Sequence, residues 1–170
     1  MKYPSTILKG DHAKGSCISI AIAIGKEIFQ DAGARMIHLG KNTQSTILSK
    51  SISGYGGRVN YRGKVEIKPE AKYSKAKVEC DTMILDQYSK SDTVPSNIVS
   101  NNTSSIEHEA VVSKISEKQI YYLQSRGLTE DQAKEIIILG FIEPFAKEIP
   151  LEYAVELNNL IKMELEGNIG

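Results

Sequence analysis

Tryptophan is absent from the 170-residue sequence, aromatic residues make up only 6% of it, and there are two cysteines. Each scarcity excludes something. Without large rings, a core has to be filled by aliphatic side chains, which suits thin layers of packed strands. Cys17 and Cys80 are too few and too far apart for a disulfide framework, and they lack the close spacing of a self-contained zinc site. An excess of one charge is missing too. With 21 basic and 21 acidic side chains the formal net charge is zero, so no overall field draws the chain to nucleic acid or to an anionic membrane. No apolar run reaches the roughly 20 residues needed to cross a bilayer. The opening MKYPSTILKGDHAKGS has none of the apolar stretch of a secretory signal. The composition points to a soluble, intracellular chain with one core and a modest appendage.

What is present falls into two regimes. From the N-terminus to Ile115 the segments TILKGD, SCISIAIAI, ARMIHLG, STILSKSIS, GRVNYRGKVEI, AKVECDTMILD and IEHEAVVSKI alternate with period two, the mark of half-buried strands. Between them stand GD, DAG, GKN, GYGG, YRG and KPE, which are turn-forming. A hundred residues of consecutive short strands are compatible with a sandwich, a barrel or a solenoid, and no fixed sequence repeat selects the last. Residues 1–115 are therefore assigned to a β region and 116–170 to a helical subdomain.

Helical signals begin with SEKQ and TEDQ, which have the capping-box form, Ser116 with Gln119 and Thr129 with Gln132. Gly127, Gly140 and Gly167 stand where helices would stop. Pro150 suits a first turn, ahead of a broad apolar face of Leu151, Ala154, Val155, Leu157, Leu160, Ile161 and Leu165. Three helices are expected, over 117–126, 130–139 and 150–166.

Strand parity locates the reactive side chains. Ala76, Val78, Cys80 and Ile84 share one face and Lys75, Lys77, Glu79 and Asp81 the other, so Cys80 points inward. Ile106, His108, Ala110 and Val112 likewise share a face, with Glu107 and Glu109 on the opposite one. The Glu107–His108–Glu109 triplet cannot then form a compact chelate without a bulge; it serves two surfaces. An inward thiol and an inward imidazole on neighbouring strands would make a soft-donor pair suited to iron, an iron–sulfur cluster or a persulfide. The plainer reading is a packing thiol and a hydrogen-bonded core imidazole. Cys17, within SCISIAIAI, reads as packing, and His12 and His38 as surface or turn residues. Lys9, Lys14, Arg35, Arg58 and Arg62 are scattered among turns and read as solvated surface. SGYGGR lacks the third glycine of a dinucleotide fingerprint, and no phosphate-binding Gly-x-x-x-x-Gly-Lys-Ser/Thr occurs, so any ATP hydrolysis belongs to another subunit. A Cys80–His108 thiol hydrolase finds no nucleophile-elbow support.

Taken in order, DAGARMIHLGKNTQSTILSKSIS, GGRVNYRG, VECD, IEHEAVVSKIS, YYLQSRGLTEDQA and GFIEPFAKEIPLEYAVELNNLI resemble the C-terminal portion of the SufB branch of the SufB/SufD family, the scaffolds of SUF iron–sulfur cluster assembly. The resemblance spans essentially the whole chain. It implies a right-handed parallel β-helix followed by a helical subdomain that docks the ATPase SufC. It also implies edge pairing of the β-helix with SufD or a second SufB, and a cysteine desulfurase system as sulfur donor. It assigns Cys80 to receiving sulfur and holding the nascent cluster and Glu109 to cluster ligation, with His108 and Glu107 in the same motif. The cluster would be transient, 2Fe-2S or 4Fe-4S, on a scaffold that is not itself an enzyme, in cytoplasm or a plastid-like organelle. SufD-like relatives generally lack the cysteine together with EHEA; a structural solenoid module with no ligand of its own is the alternative. Family members also use an upstream cysteine, for which Cys17 is no substitute. Because strand patterning starts beside Met1, the chain is expected to be part of a longer scaffold and to self-associate when alone.

Overall fold

The structure, a computed structural model, describes the backbone of residues 1–166 and the side chains of residues 1–163. Its strands are β1 (Ser5–Leu8), β2 (Lys14–Ile24), β3 (Phe29–His38), β4 (Gln44–Gly54), β5 (Arg58–Ile67), β6 (Lys75–Ile84), β7 (Lys90–Val99) and β8 (Ser105–Lys114). They form two sheets, ordered β1-β3-β5-β7 and β2-β4-β6-β8, and every pairing is parallel. Successive strands therefore lie in opposite sheets and each strand pairs with the next but one. The result is a parallel β-solenoid of about four turns, with α1 (Glu117–Ser125), α2 (Glu130–Ala146) and α3 (Leu151–Glu166) after it.

The repeat that holds the turns in register lies in backbone shape. His12, Asn42 and Tyr73 all adopt left-handed φ values of 62°, 55° and 61° at the same corner of successive turns. The corners are tied together: His12 N–H donates to the Lys41 carbonyl at 2.8 Å and Asn42 N–H to the Lys72 carbonyl at 2.8 Å. Three different residue types at one structural position explain why no repeat is visible in the letters. Gly40 precedes this corner under close contact, since a Cβ there would lie 2.2 Å from the Gly10 carbonyl oxygen of the turn below. Gly40→Ala is expected to cost about 1–3 kcal/mol, the usual penalty for overpacking against atoms that cannot yield, read as a lower denaturant midpoint at unchanged slope.

At the opposite corner Asp86 accepts hydrogen bonds from Tyr55 N–H, Tyr88 N–H (2.7 Å) and Ser89 N–H and Oγ (2.8 Å each). Burial alone would raise its carboxyl; these donors outweigh burial and hold it below the ordinary value.

Residues facing into the solenoid form its core, among them Ala34, Met36, Ile47, Tyr61, Val65, Ile67, Val78 and Cys80. His38 belongs to this interior and is fully buried, which corrects the expectation of a surface or turn residue. Its Nδ1 lies 2.8 Å from Thr43 Oγ1 and its Nε2 2.8 Å from Ser45 Oγ, so two hydroxyls satisfy a ring that sequence alone left unpartnered. Burial lowers its pKa from 6.5. The unfolded chain therefore binds a proton that the folded chain resists as pH falls below 6.5, and stability is lost in that direction down to the folded pKa. The carboxylates of Glu66, Asp86 and Glu130, also shifted down, act only in a lower window, below 4.5 or 3.8. Replacing His38 with Gln is expected to flatten the thermal midpoint against pH between pH 7 and 5, whatever it does to the midpoint at pH 7.

Two elements depart from expectation. β7, KSDTVPSNIV, lacks alternating hydrophobicity and carries Pro95, yet it pairs along its length with β5. It is the edge strand of its sheet, where a proline costs no ladder bond on the open side and few side chains need burial. α2 runs through Gly140 to Ala146 rather than stopping at residue 139 and contains Pro144. Burial decides this. Ile138, Ile142 and Phe145 are buried on one stripe, and their burial exceeds the cost of about 1 kcal/mol for a helical glycine.

The other boundaries agree. Thr129 and Gln132 form a complete capping box, Ser116 caps α1 through Gln119 N–H, and Gly127, at φ 93°, ends α1 with Gly127 N–H on the Gln124 carbonyl. Gly167 and the side chain of Leu165 lie outside the described residues. Of the apolar face expected on α3, Ile161 is buried and Leu157 partly so, whereas Leu151, Val155 and Leu160 are exposed. Only one stripe of the helix meets α2 and the solenoid, and the rest of that face extends past the contact.

The helical layer packs on the outer face of β2, β4 and β6, where Ile24, Ile52 and Met83 meet Ile138, Ile142 and Ile161. Beside them the Lys50 ammonium pairs with Asp81 and sits 4.6 Å from the Phe141 ring centroid. Among the described residues no helix is long and apolar enough to cross a membrane.

Candidate functional site

Alternation along β6 brings Ala76, Val78 and Cys80 into the core while Lys77, Glu79 and Asp81 face out. Cys80 is 4% exposed. Burial pushes its thiol up to about 11, opposed by the Tyr61 hydroxyl and reinforced by the Asp81 carboxylate. Tyr61 comes from β5, facing β6 across the same turn, and is 3% exposed. Its ring has room because position 63 is a glycine: a Cβ there would stand 3.1 Å from the Tyr61 Cε1. The hydroxyl lies beside the Cys80 thiol but makes no formed hydrogen bond. Burial, followed by the Cys80 and Cys17 sulfurs, drives its ionisation far above the ordinary phenol range. Cys17 is half-buried against the same cluster, as expected of a packing residue, and burial raises its thiol as well.

β8 is the last strand of its sheet. His108 lies beside Val78 and Ala110 beside Cys80. His108 is thus one strand over and two residues back from Cys80, a Cα separation of about 8 Å from ordinary strand spacing and rise. The imidazole is half-buried. Asn97 of β7 brings its amide nitrogen 3.2 Å from Nδ1, and Nε2 is buried without a partner. Turning the Asn97 amide half a revolution would place its oxygen on Nδ1–H and leave Nε2 a free lone pair, the form in which imidazole binds metal.

Glu107 and Glu109 are exposed on the opposite face of β8, as parity required. Glu107 lies beside Lys77 and Glu109 beside Glu79. Lys77 pairs with Glu79, which raises its pKa; Glu107 and Glu109 raise it further. The structure therefore brings Cys80 and His108 to one interior and leaves both glutamates on the outer surface. Among the described residues no three His, Cys, Asp or Glu side chains stand close enough to hold a metal ion. Tyr61, Asn97 and Glu79 were not singled out in the sequence. The first two are brought in from the opposite sheet, whose registry against β6 and β8 has no signature along either strand; Glu79 was readable by parity, but not as the neighbour of Glu109.

Chemically, the interior beside the last strand offers the Cys80 sulfur as a soft donor, a borderline nitrogen donor and an unused phenol hydroxyl, while the rim offers two hard carboxylates. This donor set suits sulfur and iron better than a hydrolytic metal.

Comparison with known proteins points the same way. Residues 1–141 match the family model described as SUF system FeS cluster assembly, SufBD core domain. The whole chain is 58% identical to the iron-sulfur cluster assembly protein SufB of Bacillus subtilis, of which it covers 36%. It is 59% identical to iron-sulfur cluster assembly SufBD family proteins of Staphylococcus saprophyticus and Staphylococcus haemolyticus, again spanning 36% of their length. With the family model matching the full solenoid, α1 and the larger part of α2, the chain belongs to the SufBD core-domain family of the SUF iron–sulfur cluster assembly system.

Proposed function

We propose that this chain carries the part of an assembly scaffold on which an iron–sulfur cluster is built as cargo. Cys80 receives sulfur and binds iron as thiolate. His108 and Glu109, with Glu107 beside them, serve as exchangeable ligands at the open edge. The observation that carries this reading is the placement of the Cys80 thiol one strand inside the last strand, diagonal to an imidazole whose buried Nε2 has no partner. Thiolate grips iron and can carry a terminal sulfur, whereas imidazole and carboxylate release it more readily, which suits a product that must leave.

Because no three ligating side chains converge among the described residues, the remaining ligands come from a partner laid against β7 and β8. That edge presents Val94, Ile98, Val111 and Val112 to solvent and suits SufD or a second SufB-like chain. The exposed Leu151, Tyr153, Val155 and Leu160 of α3 supply an apolar surface for the ATPase SufC, and a cysteine desulfurase system supplies sulfur. The compartment would be bacterial cytoplasm or a plastid.

The test is anaerobic reconstitution with the ATPase and the solenoid partner, followed by Mössbauer spectroscopy on Cys80→Ser and Glu109→Gln. Loss of the cluster signal in the first and an altered iron site in the second support ligation. The missing trio also favours a second reading, a SufD-like structural module with no ligand of its own. In that case both variants assemble clusters as wild type does, while removal of residues 116–170 abolishes complex formation.

A further inference from the structure

Among the described residues, the Tyr61 hydroxyl is one of three buried side-chain polar atoms without a hydrogen-bond partner, with the Ser53 hydroxyl and His108 Nε2, and of the two hydroxyls it is the one in the cluster that holds Cys80. It is buried, it has no hydrogen-bond partner, and it lies beside the Cys80 thiol in a space kept open by Gly63. A buried phenol without an acceptor costs free energy comparable to a lost hydrogen bond, and phenylalanine would fill the same volume without that cost. The sulfur beside it is a poor acceptor while protonated, but a strong one as thiolate or as the terminal sulfur of a persulfide.

We propose that Tyr61 is a positioning residue whose O–H donates to the anionic sulfur carried on Cys80, holding it inside the solenoid until it is passed on. This rests on the reading of Cys80 as the sulfur-receiving residue. In the loading step, the Cys80 thiolate bonds to the outer sulfur of a donor persulfide R–S–SH. The S–S bond between R–S and that outer sulfur breaks, and R–S⁻ leaves with the electron pair. R–S⁻ then takes up the proton released as Cys80–S–SH ionises. The sum is Cys80–S⁻ plus R–S–SH giving Cys80–S–S⁻ plus R–SH, with no outside oxidant or reductant. The new anion sits where desolvation would otherwise expel it, and the phenol supplies a hydrogen bond from the facing sheet.

Two measurements on the intact chain, loaded with a low-molecular-weight persulfide, test this. In the first, the ¹³Cζ resonance of labelled Tyr61 is followed through loading. It is expected to move downfield in wild type and to stay fixed in Cys80→Ser. In the second, retention of the added sulfur on Cys80 under a thiol challenge is followed by peptide mass spectrometry. Tyr61→Phe is expected to shorten it about tenfold, the factor one charge-assisted hydrogen bond is worth, with retention at Cys17 unchanged and the thermal midpoint of the unloaded chain no lower. A stationary ¹³Cζ signal on loading overturns the proposal, as does retention within twofold of wild type in Tyr61→Phe. A general loosening of the fold would instead shorten retention at both cysteines, and that result also overturns it. Neither readout involves cluster assembly. If Cys80→Ser still builds clusters, the assignment of Cys80 to assembly fails while the contact between Tyr61 and a Cys80-borne sulfur is decided separately.

Discussion

Cys80→Ser is expected to lower anaerobic iron–sulfur loading of the assembled scaffold by about a hundredfold or more, read as loss of charge-transfer absorbance and of the Mössbauer cluster signal. Changing groups that merely orient a ligand usually costs 10–100-fold in metal affinity, and Cys80 is the single soft donor in contact with both Tyr61 and the last turn. A serine hydroxyl keeps the volume but is neither a persulfide carrier nor a ligand that iron holds at neutral pH. His108→Ala is expected to cost less, about tenfold, because the unpartnered Nε2 supplies one borderline donor. Glu109→Gln should act chiefly on how fast the cluster departs, since its carboxylate stands on the outer surface. Equal losses in all three variants would point to misfolding and would be exposed by a lower thermal midpoint. Unchanged loading in Cys80→Ser would leave the structural-module reading in place.

Ile142→Asp is expected to detach the helical layer. Ile142 is fully buried where α2 meets Ile52 and Met83 on the outer face of β4 and β6. A carboxylate there, with the neighbouring Lys50 ammonium already paired with Asp81, should cost about 3–5 kcal/mol, whereas Ile142→Val should cost about 0.5–1.5 kcal/mol. The loss should be regional, because the solenoid's ladder bonds run between strands and do not pass through the helices. Amide hydrogen exchange checks this: α2 and α3 should lose protection while β4, β5 and β6 keep theirs. Capture of the ATPase should fall with the helices. If protection collapses evenly across both regions, the solenoid and helices form one cooperative unit.

Period-two alternation made the sheets legible, and parity alone placed Cys80 and His108 inside and Glu107 and Glu109 outside. Parity speaks only of one strand at a time. It says nothing of what a second sheet brings to meet that strand, so Tyr61 opposite Cys80 and Asn97 opposite His108 had no signature. The same limit hid His38, whose two hydroxyl partners lie on the far side of a turn and on the next strand. β7 escaped because an edge strand needs little burial and so keeps little pattern. The end of α2 was misplaced for the opposite reason: Gly140 is a local stop signal, and the burial of Ile142 and Phe145 against the solenoid overrides it. The solenoid itself was one of three architectures compatible with the strand pattern, and its identification came through family resemblance, since corners built from His12, Asn42 and Tyr73 share a conformation without sharing a letter.

Those corners also govern how such a chain can change length. Because His12 and Asn42 each donate their N–H to a carbonyl of the next turn, and Tyr73 to the Thr103 hydroxyl, removing one position between corners would drag the following strand out of step and turn its interior side chains to the outside. The gain or loss of a whole circuit, about 30 residues as the hydrogen bonds between adjacent turns are spaced, leaves every corner resting on another. Growth and shrinkage along the rungs therefore go by whole circuits, and small insertions belong at the outward loops, where successive circuits already differ by a residue or more.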